Sequence, residues 1–189
     1  MSYVTYVVAR IIILNGVGSV GKSSIARALQ AITSEPFLHV AMDAFLDMLP
    51  ASHMDHPDGF MFKDQSKAGA PAIAINTGRV GARALRGMRR AIAALAAEDN
   101  NLIVDDVMLG AEMEEYRALL AGSHVSFVGI FAPLAVIEER ESRRKDRMIG
   151  LARWQFDRVH AGRNYDLEID ASTATPEASA FKIKDAFSL

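Results

Sequence analysis

The residues with the clearest potential for chemistry lie in the segment G-V-G-S-V-G-K-S, which begins at Gly16 and ends at Ser23. This segment satisfies the pattern G-x-x-x-x-G-K-[ST], in which glycines let successive main-chain N–H groups point at phosphate oxygens. In such a loop Lys22 would contact the β- and γ-phosphates of a nucleotide, and the Ser23 hydroxyl would bind Mg²⁺. The pattern therefore predicts a nucleoside triphosphate site formed by Gly16, Val17, Gly18, Ser19, Val20, Gly21, Lys22, Ser23 and Ser24.

The same glycines also fit a dinucleotide-binding pattern. Gly16, Gly18 and Gly21 satisfy G-x-G-x-x-G, and Asp43 lies 22 residues after Gly21, where a ribose-binding acid is expected. The Lys-Ser pair that ends the segment favours the triphosphate loop, because that loop requires both residues and the dinucleotide pattern requires neither. A nucleotide-binding module without catalytic activity is a further alternative, since the loop specifies a nucleotide but no acceptor.

Three aspartates follow predicted strands, where the carboxyl ends of a parallel sheet line a ligand crevice. Asp43 in V-A-M-D-A-F could accept a proton from a substrate hydroxyl as the γ-phosphoryl group leaves ATP, or bind Mg²⁺ through water. Its alternative is a helix N-cap. Asp105 and Asp106 follow N-L-I-V and are candidates for the second magnesium-binding element, with a turn or cap as the alternative. Asp105 is favoured because it ends the apolar run.

A cluster of arginines lies in E-R-E-S-R-R-K-D-R, within a predicted lid at about 140–150. Phosphoryl transfer spreads negative charge over the equatorial oxygens, and a mobile arginine can offset that charge while a closing lid excludes water. The alternative is a solvated helix face on which neighbouring glutamates pair with the arginines. The candidates for catalysis are Arg140, Arg144 and Arg147.

The elements that must position these side chains alternate between strands and helices. Predicted strands cover 7–15, 37–42, 102–104, 125–131 and 166–170, and predicted helices cover 22–32, 79–97, 133–144, 154–160 and 177–187. Such alternation is typical of an α/β fold with a five-stranded parallel sheet covered by helices on both faces. The segment 50–77 fits this scheme least well and is predicted to be a long excursion over one edge of the site.

Composition limits the class of protein. The chain has 189 residues, of which 50% are hydrophobic, a net charge of −2 and no cysteine. These values predict one globular domain over 1–189, and they exclude thiolate chemistry and argue against a nucleic-acid partner, for which a basic chain is expected. The apolar run at 4–14 is too short for a membrane span and is interrupted by Arg10, so a cytoplasmic protein is expected.

Five motifs together resemble the chloramphenicol 3-O-phosphotransferase family. They are I-I-I-L-N-G-V-G-S-V-G-K-S-S-I-A-R-A-L-Q, V-A-M-D-A-F, N-L-I-V-D-D-V-M-L-G, E-R-E-S-R-R-K-D-R and H-A-G-R-N-Y-D-L-E-I-D. Their order and spacing match over nearly the whole chain. The departures are Val17 and Gly18 in the loop, where small Gly and Ser residues occur in the family, and the divergent segment 50–77.

The resemblance implies the fold of shikimate and adenylate kinases and a small-molecule acceptor. Enzymes of this family transfer the γ-phosphoryl group of ATP, with Mg²⁺, to the primary hydroxyl of chloramphenicol. The family's catalytic base falls on Asp43, its loop lysine and serine on Lys22 and Ser23, and its lid arginines in 140–147.

Overall fold

The computed structural model describes residues 8–144 and 148–189. Its strands are β1 (Arg10–Asn15), β2 (Phe37–Ala41), β3 (Phe60–Asp64), β4 (Ile73–Thr77), β5 (Asn101–Asp106), β6 (His124–Phe131) and β7 (Leu167–Asp170). Its α-helices are α1 (Lys22–Ile32), α2 (Met42–Leu46), α3 (Arg79–Ala97), α4 (Glu112–Leu119), α5 (Leu134–Ser142), α6 (Leu151–Val159) and α7 (Pro176–Phe187), and a 3₁₀ turn covers Ala51–His53.

Five strands form one parallel sheet in the order β2-β5-β1-β6-β7. This confirms the predicted α/β fold with a five-stranded parallel sheet. Strand β1 lies between β5 and β6, so that Asn15 pairs with Asp106 on one side and Gly129 on the other. The chain order reverses across β1, and the loop that leaves its carboxyl end therefore opens into the crevice where ligands bind in such sheets.

Strand β1 is buried on both faces, which explains its unbroken apolar sequence. Ile12 and Leu14 face a core layer shared with α1, α6 and α7, whereas Ile11 and Ile13 face a second layer shared with α3 and α4. All four side chains are at most 2% exposed. The strand is therefore held rigidly, and so is the start of the loop that follows it.

The helices α1 and α3 have the predicted bounds, but other elements differ. The segment 50–77 is not irregular throughout, since β3 and β4 pair as an antiparallel hairpin in it. The short helices α2 and α4 are not predicted by the sequence, and α5 ends at Ser142 instead of 144. Strand β5 continues through both aspartates instead of ending before them, which decides the direction of each carboxylate.

No helix in the described ranges combines the length and apolar character that crossing a bilayer requires.

Candidate active site

The loop between β1 and α1 has the main-chain shape of a phosphate-binding loop. Gly21 lies at φ 112°, a conformation that side chains oppose, and Ser19 lies at φ 62°. At Gly16 an added Cβ would lie 2.7 Å from the Ile130 carbonyl oxygen, so the loop packs directly on β6. Since α1 begins at Lys22 with a glycine N-cap and no acid in its first turn, its N-terminal N–H groups remain available to an anion.

Lys22 turns back over the loop that precedes it. Its ammonium donates to the carbonyl oxygens of Gly16 at 2.8 Å and Val17 at 3.0 Å, and the residue is 7% exposed. Val17 itself is buried in the core. Residues 18–24 line one wall of a cleft of about 470 Å³, a size typical of small-molecule sites. The loop therefore places a buried positive charge beside main-chain donors, which is the chemistry that a polyphosphate needs.

Ser23 and Asp105 form the pair that the magnesium prediction requires. The Ser23 hydroxyl donates to Asp105 Oδ2 at 2.5 Å, and Lys22 Nζ lies 3.7 Å from Asp105 Oδ1. Burial raises the pKa of the Asp105 carboxyl, but the Lys22 ammonium, His39 and the Ser23 hydroxyl outweigh this and hold its pKa below the ordinary value. The carboxylate is therefore anionic, and with the hydroxyl it offers oxygen ligands of the kind that Mg²⁺ binds.

Asp106 lies on the opposite face of the sheet, because successive strand residues point to opposite faces. Its carboxylate accepts hydrogen bonds from Tyr116 Oη at 2.8 Å and from the N–H of Val107 at 2.7 Å. Complete burial raises the pKa of Asp106. It is absent from the lining of the cleft, so the structure separates the two aspartates and the magnesium assignment rests on Asp105.

Asp43 lines the same cleft as the phosphate loop. It lies in the first turn of α2, whose N-cap is Ala41 and makes no side-chain capping bond. The N-cap alternative for Asp43 is therefore wrong. Helix α2 follows β2 directly, so the fold carries this carboxylate from a strand end to the wall of the cleft.

The arginines of the predicted lid occupy different positions. Arg140 donates to the main-chain oxygens of Val20 at 3.1 Å and Ala171 at 2.8 Å, and it thereby fixes the phosphate loop to the segment after β7. Arg143 and Arg144 are exposed and line the cleft, with Arg143 also paired to Glu139. Arg147 lies outside the described residues. Of the predicted arginines, Arg140 and Arg144 both line the cleft, and Arg140 also supports the main chain of the loop.

Two residues important to this arrangement are not predicted by the sequence. Glu141 is 3% exposed, and its carboxylate accepts the N–H groups of Gly150 at 2.7 Å and Ala152 at 2.9 Å, so that it caps α6. Gln155 accepts the N–H of Gly18 at 2.8 Å. Neither residue carries a local sequence signal, because Glu141 lies nine positions before Gly150 and Gln155 lies 137 positions after Gly18.

Asn15 in the L-N-G motif secures the entry to the loop. Its amide donates to the Val159 carbonyl at 2.8 Å and to Tyr165 Oη at 2.7 Å, and its Oδ1 accepts the Met108 N–H at 2.8 Å. The residue is fully buried. Asn15 therefore joins β1 to the segments after β5 and α6, and its role is structural.

We expect Asn15→Ala to lower the free energy of unfolding by about 2–4 kcal/mol, because it leaves buried main-chain groups without partners. Urea unfolding monitored by circular dichroism measures this change. Asn164→Ala, at an exposed position, is the matched control and should differ from the wild type by less than about 0.5 kcal/mol. Equal stability of the two variants would contradict the role of Asn15.

His160 makes stability depend on pH. Its ring stacks on Phe131 with centroids 3.8 Å apart, and its Nδ1 lies 2.8 Å from Tyr165 Oη. Burial, with a smaller contribution from the positive charges of Arg163 and Lys22, lowers the pKa of His160 to about 4. In the unfolded chain the imidazole has its ordinary pKa of about 6.5. As the pH falls, this residue is therefore protonated in the unfolded chain before it is protonated in the folded protein.

The stabilisation from neutral His160 should be present above pH 6.5 and lost as the pH falls towards 4. We therefore expect the wild type to lose more free energy of unfolding over this interval than His160→Asn. Urea unfolding of both proteins at several pH values tests this. Parallel pH profiles would show that His160 does not fold as the neutral imidazole.

Comparisons with known proteins agree with this geometry. The sequence model of the family described as chloramphenicol phosphotransferase-like protein matches residues 9–188. A protein of Mycobacterium tuberculosis that is provisionally assigned as an O-phosphotransferase, known in two strains, is 31% identical over 173 residues, which cover 88% of this chain and 76% of that protein.

Solved structures of kinases share the fold. An unliganded sugar kinase from Janibacter superposes with a TM-score of 0.66 at 20% identity, covering 95% of each chain. The APS kinase of M. tuberculosis, solved with AMPPNP and APS, gives 0.62 at 16% identity and covers 96% of this chain and 98% of that one. A tunicamycin resistance protein of Deinococcus radiodurans gives 0.64 at 19% identity and covers 96% of each.

The family match extends over nearly the whole chain, and its phosphate loop, Ser23–Asp105 pair and Asp43 open into one cleft. The chain therefore belongs to the chloramphenicol phosphotransferase-like family and is an enzyme of the kinase type.

Proposed function

We propose that this enzyme transfers the γ-phosphoryl group of ATP, bound with Mg²⁺, to the primary hydroxyl of chloramphenicol or of a related small molecule. The observation that carries the proposal is the position of Asp43 in the same cleft as the phosphate loop. The loop supplies main-chain donors and the Lys22 ammonium for a triphosphate. Asp43 supplies a carboxylate for the acceptor that the triphosphate must meet.

The reaction needs a proton acceptor and compensation of charge. In the proposed step the acceptor oxygen bonds to the γ-phosphorus, its proton passes to Asp43, and the bond from phosphorus to the β,γ-bridging oxygen breaks to release ADP. Lys22 offsets charge on the β- and γ-phosphates, and Arg144 is placed on the cleft wall to offset charge on the transferring group.

Ser23 and Asp105 fit a magnesium ion, since one hydroxyl and one buried, ionised carboxylate lie together beside the phosphate loop. A magnesium ion held there would offset charge on the β- and γ-phosphates. The hydrogen bond between the same two residues also joins the loop to β5.

The acceptor side of the cleft indicates a neutral and largely apolar molecule. Met42 and Leu46 from α2, Ile75 from β4 and Leu151 from α6 line it. Among the described residues that line the cleft, the cations lie in the phosphate loop or on α5 and the loop after it, whereas α2, β4 and α6 contribute none. An acceptor carrying a carboxylate, phosphate or sulfate would leave that charge unpaired against these side chains.

The experiment is incubation of the enzyme with γ-labelled ATP, Mg²⁺ and chloramphenicol, followed by separation of the labelled products. We expect label on chloramphenicol and none on 3-O-acetylchloramphenicol, in which the primary hydroxyl is blocked. Gluconate serves as an anionic comparison and should accept no label.

Three other results of these experiments would each overturn a different part of the proposal. Label on a different neutral alcohol alone would overturn chloramphenicol as the acceptor but keep the kinase reaction. Tight nucleotide binding without transfer to any hydroxylated compound tested would identify a non-catalytic nucleotide-binding module. A thermal shift with NAD(H) and none with Mg·ATP would restore the dinucleotide alternative.

A further inference from the structure

We propose that Gln155 is an additional residue of the phosphoryl-transfer site, whose side chain fixes the Gly18 peptide and donates hydrogen bonds to the γ-phosphoryl group. This inference rests on the proposed ATP site and extends it to a residue 137 positions away from the loop. Gln155 is 4% exposed and yet lines the cleft, so it is a buried polar side chain at the ligand site.

The orientation of the Gln155 amide follows from its partner. The main-chain N–H of Gly18 can only donate, so the side-chain atom 2.8 Å from it must be the oxygen Oε1. The Nε2 group then occupies the other branch of the amide with two N–H donors. Within the described part of the chain, the hydrogen bond to Gly18 is the one that the Gln155 side chain makes, and Nε2 is not among the buried atoms without a partner, so its donors are accessible from the cleft.

The Gln155 amide lies beside the part of the loop that would contact the γ-phosphate of a bound nucleotide. Lys22 holds the carbonyls of Gly16 and Val17, the two residues directly before Gly18. In loops of this type the lysine contacts the β- and γ-phosphates. The Gln155 amide therefore lies at the end of the loop where the terminal phosphate binds.

Gln155 also determines which N–H groups at the loop can donate to the phosphates. Its oxygen occupies the Gly18 N–H, which is consequently removed from phosphate binding. In exchange, the same side chain brings two N–H donors to the cleft. A side-chain donor thus takes over from a main-chain donor at the γ end of the site.

The position of Gln155 depends on how α6 is anchored. Glu141 caps the first turn of α6 through Gly150 and Ala152, and Arg153 on the same helix pairs with Glu138 on α5 at 2.5 Å. These contacts hold α6 against α5 and keep the amide fixed over the loop, as a preorganised donor requires.

Two variants separate a donor role from a purely structural one. Gln155→Glu keeps the shape and an acceptor for the Gly18 N–H, but it replaces the donors with an anionic oxygen. Gln155→Met keeps the length and loses both functions. If Gln155 only held the Gly18 peptide and lay away from the phosphates, so that a carboxylate there repelled none of them, Gln155→Glu would be nearly harmless and Gln155→Met the more damaging change.

If Gln155 donates to the γ-phosphoryl group, its substitution should affect heat stability, AMPPNP binding and ADP binding differently. Gln155→Glu should be at least as heat-stable as Gln155→Met, yet it should bind Mg·AMPPNP about tenfold or more weakly than wild type and lose about 10²–10³ in kcat. Binding of Mg·ADP, which lacks the γ-phosphate, should change by less than about threefold. Lowering the pH should partly restore AMPPNP binding to Gln155→Glu, because a protonated carboxyl donates again and no longer repels the γ-phosphate.

Calorimetric titration with the two nucleotides provides the test and requires no acceptor. Gln65→Glu makes the same exchange at an exposed position outside the cleft and should bind both nucleotides as wild type does. Equal affinity of Gln155→Glu and wild type for AMPPNP would overturn the donor role. Failure of the wild type to bind either nucleotide would overturn the proposed function itself.

Discussion

Replacement of Asp43 by asparagine is expected to lower kcat by about 10²–10⁴, while Mg·ATP affinity changes by less than about threefold. The amide has nearly the shape of the carboxylate but cannot accept the proton of the acceptor hydroxyl at neutral pH. ATP affinity should persist because the phosphate loop and the Ser23–Asp105 pair lie on β1, α1 and β5, whereas Asp43 lies on α2.

The measurement combines steady-state phosphorylation of chloramphenicol with titration of Mg·AMPPNP. Asp47→Asn is the matched control, because Asp47 is exposed at the end of the same helix and does not line the cleft. It should keep the wild-type kcat. Near-normal turnover by Asp43→Asn would remove Asp43 from the role of base. A large loss of nucleotide affinity would instead assign Asp43 to the phosphate side of the cleft.

The parts of the site that the sequence predicted are those whose chemistry is local. The phosphate loop requires its glycines, lysine and serine within a few residues of one another, and α1 begins at the predicted position. Gly21 lies at φ 112°, and a side chain on Gly16 would meet the Ile130 carbonyl, so the fold requires glycine at both positions. Local requirements of this kind leave a clear signature in sequence.

Which of Asp105 and Asp106 faces the phosphate loop depends on where strand β5 ends. The prediction ended β5 before both residues, whereas the strand includes them, and the alternation of side chains then directs Asp105 to the loop and Asp106 to Tyr116. Hydrophobic periodicity places the element but not its last residue, because strand pairing with β1 determines how far β5 extends.

The parts that the sequence did not predict depend on contacts between distant segments. The hairpin of β3 and β4 forms from short stretches that are only partly buried, so their alternation is weak. Gln155 reaches Gly18, and Glu141 caps α6, only because α5 and α6 pack beside the loop. Likewise, the local glutamate pairing predicted for the arginine cluster holds for Arg143 and Glu139 but not for Arg140, which binds main-chain carbonyls.

Replacement of Lys22 by methionine should have the broadest effect, because this ammonium serves both the loop and its ligand. We expect Mg·ATP affinity to fall by at least about tenfold and kcat by about 10²–10³. Methionine keeps an unbranched apolar chain in the buried space but leaves the carbonyls of Gly16 and Val17 without their donor. It also removes the positive charge that lowers the pKa of Asp105.

The loss of that charge adds a dependence on pH. Without the ammonium the pKa of Asp105 should rise, so the carboxylate becomes protonated at a higher pH and the acidic limb of Mg·AMPPNP binding should move upwards in Lys22→Met. Lys182→Met, on the exposed side of α7, should match the wild type in both respects. Thermal unfolding confirms folding, and Lys22→Gln serves as the second variant. Unchanged nucleotide affinity in either Lys22 variant would contradict the assignment of residues 16–23 as the phosphate site, and with it the kinase mechanism proposed for this cleft.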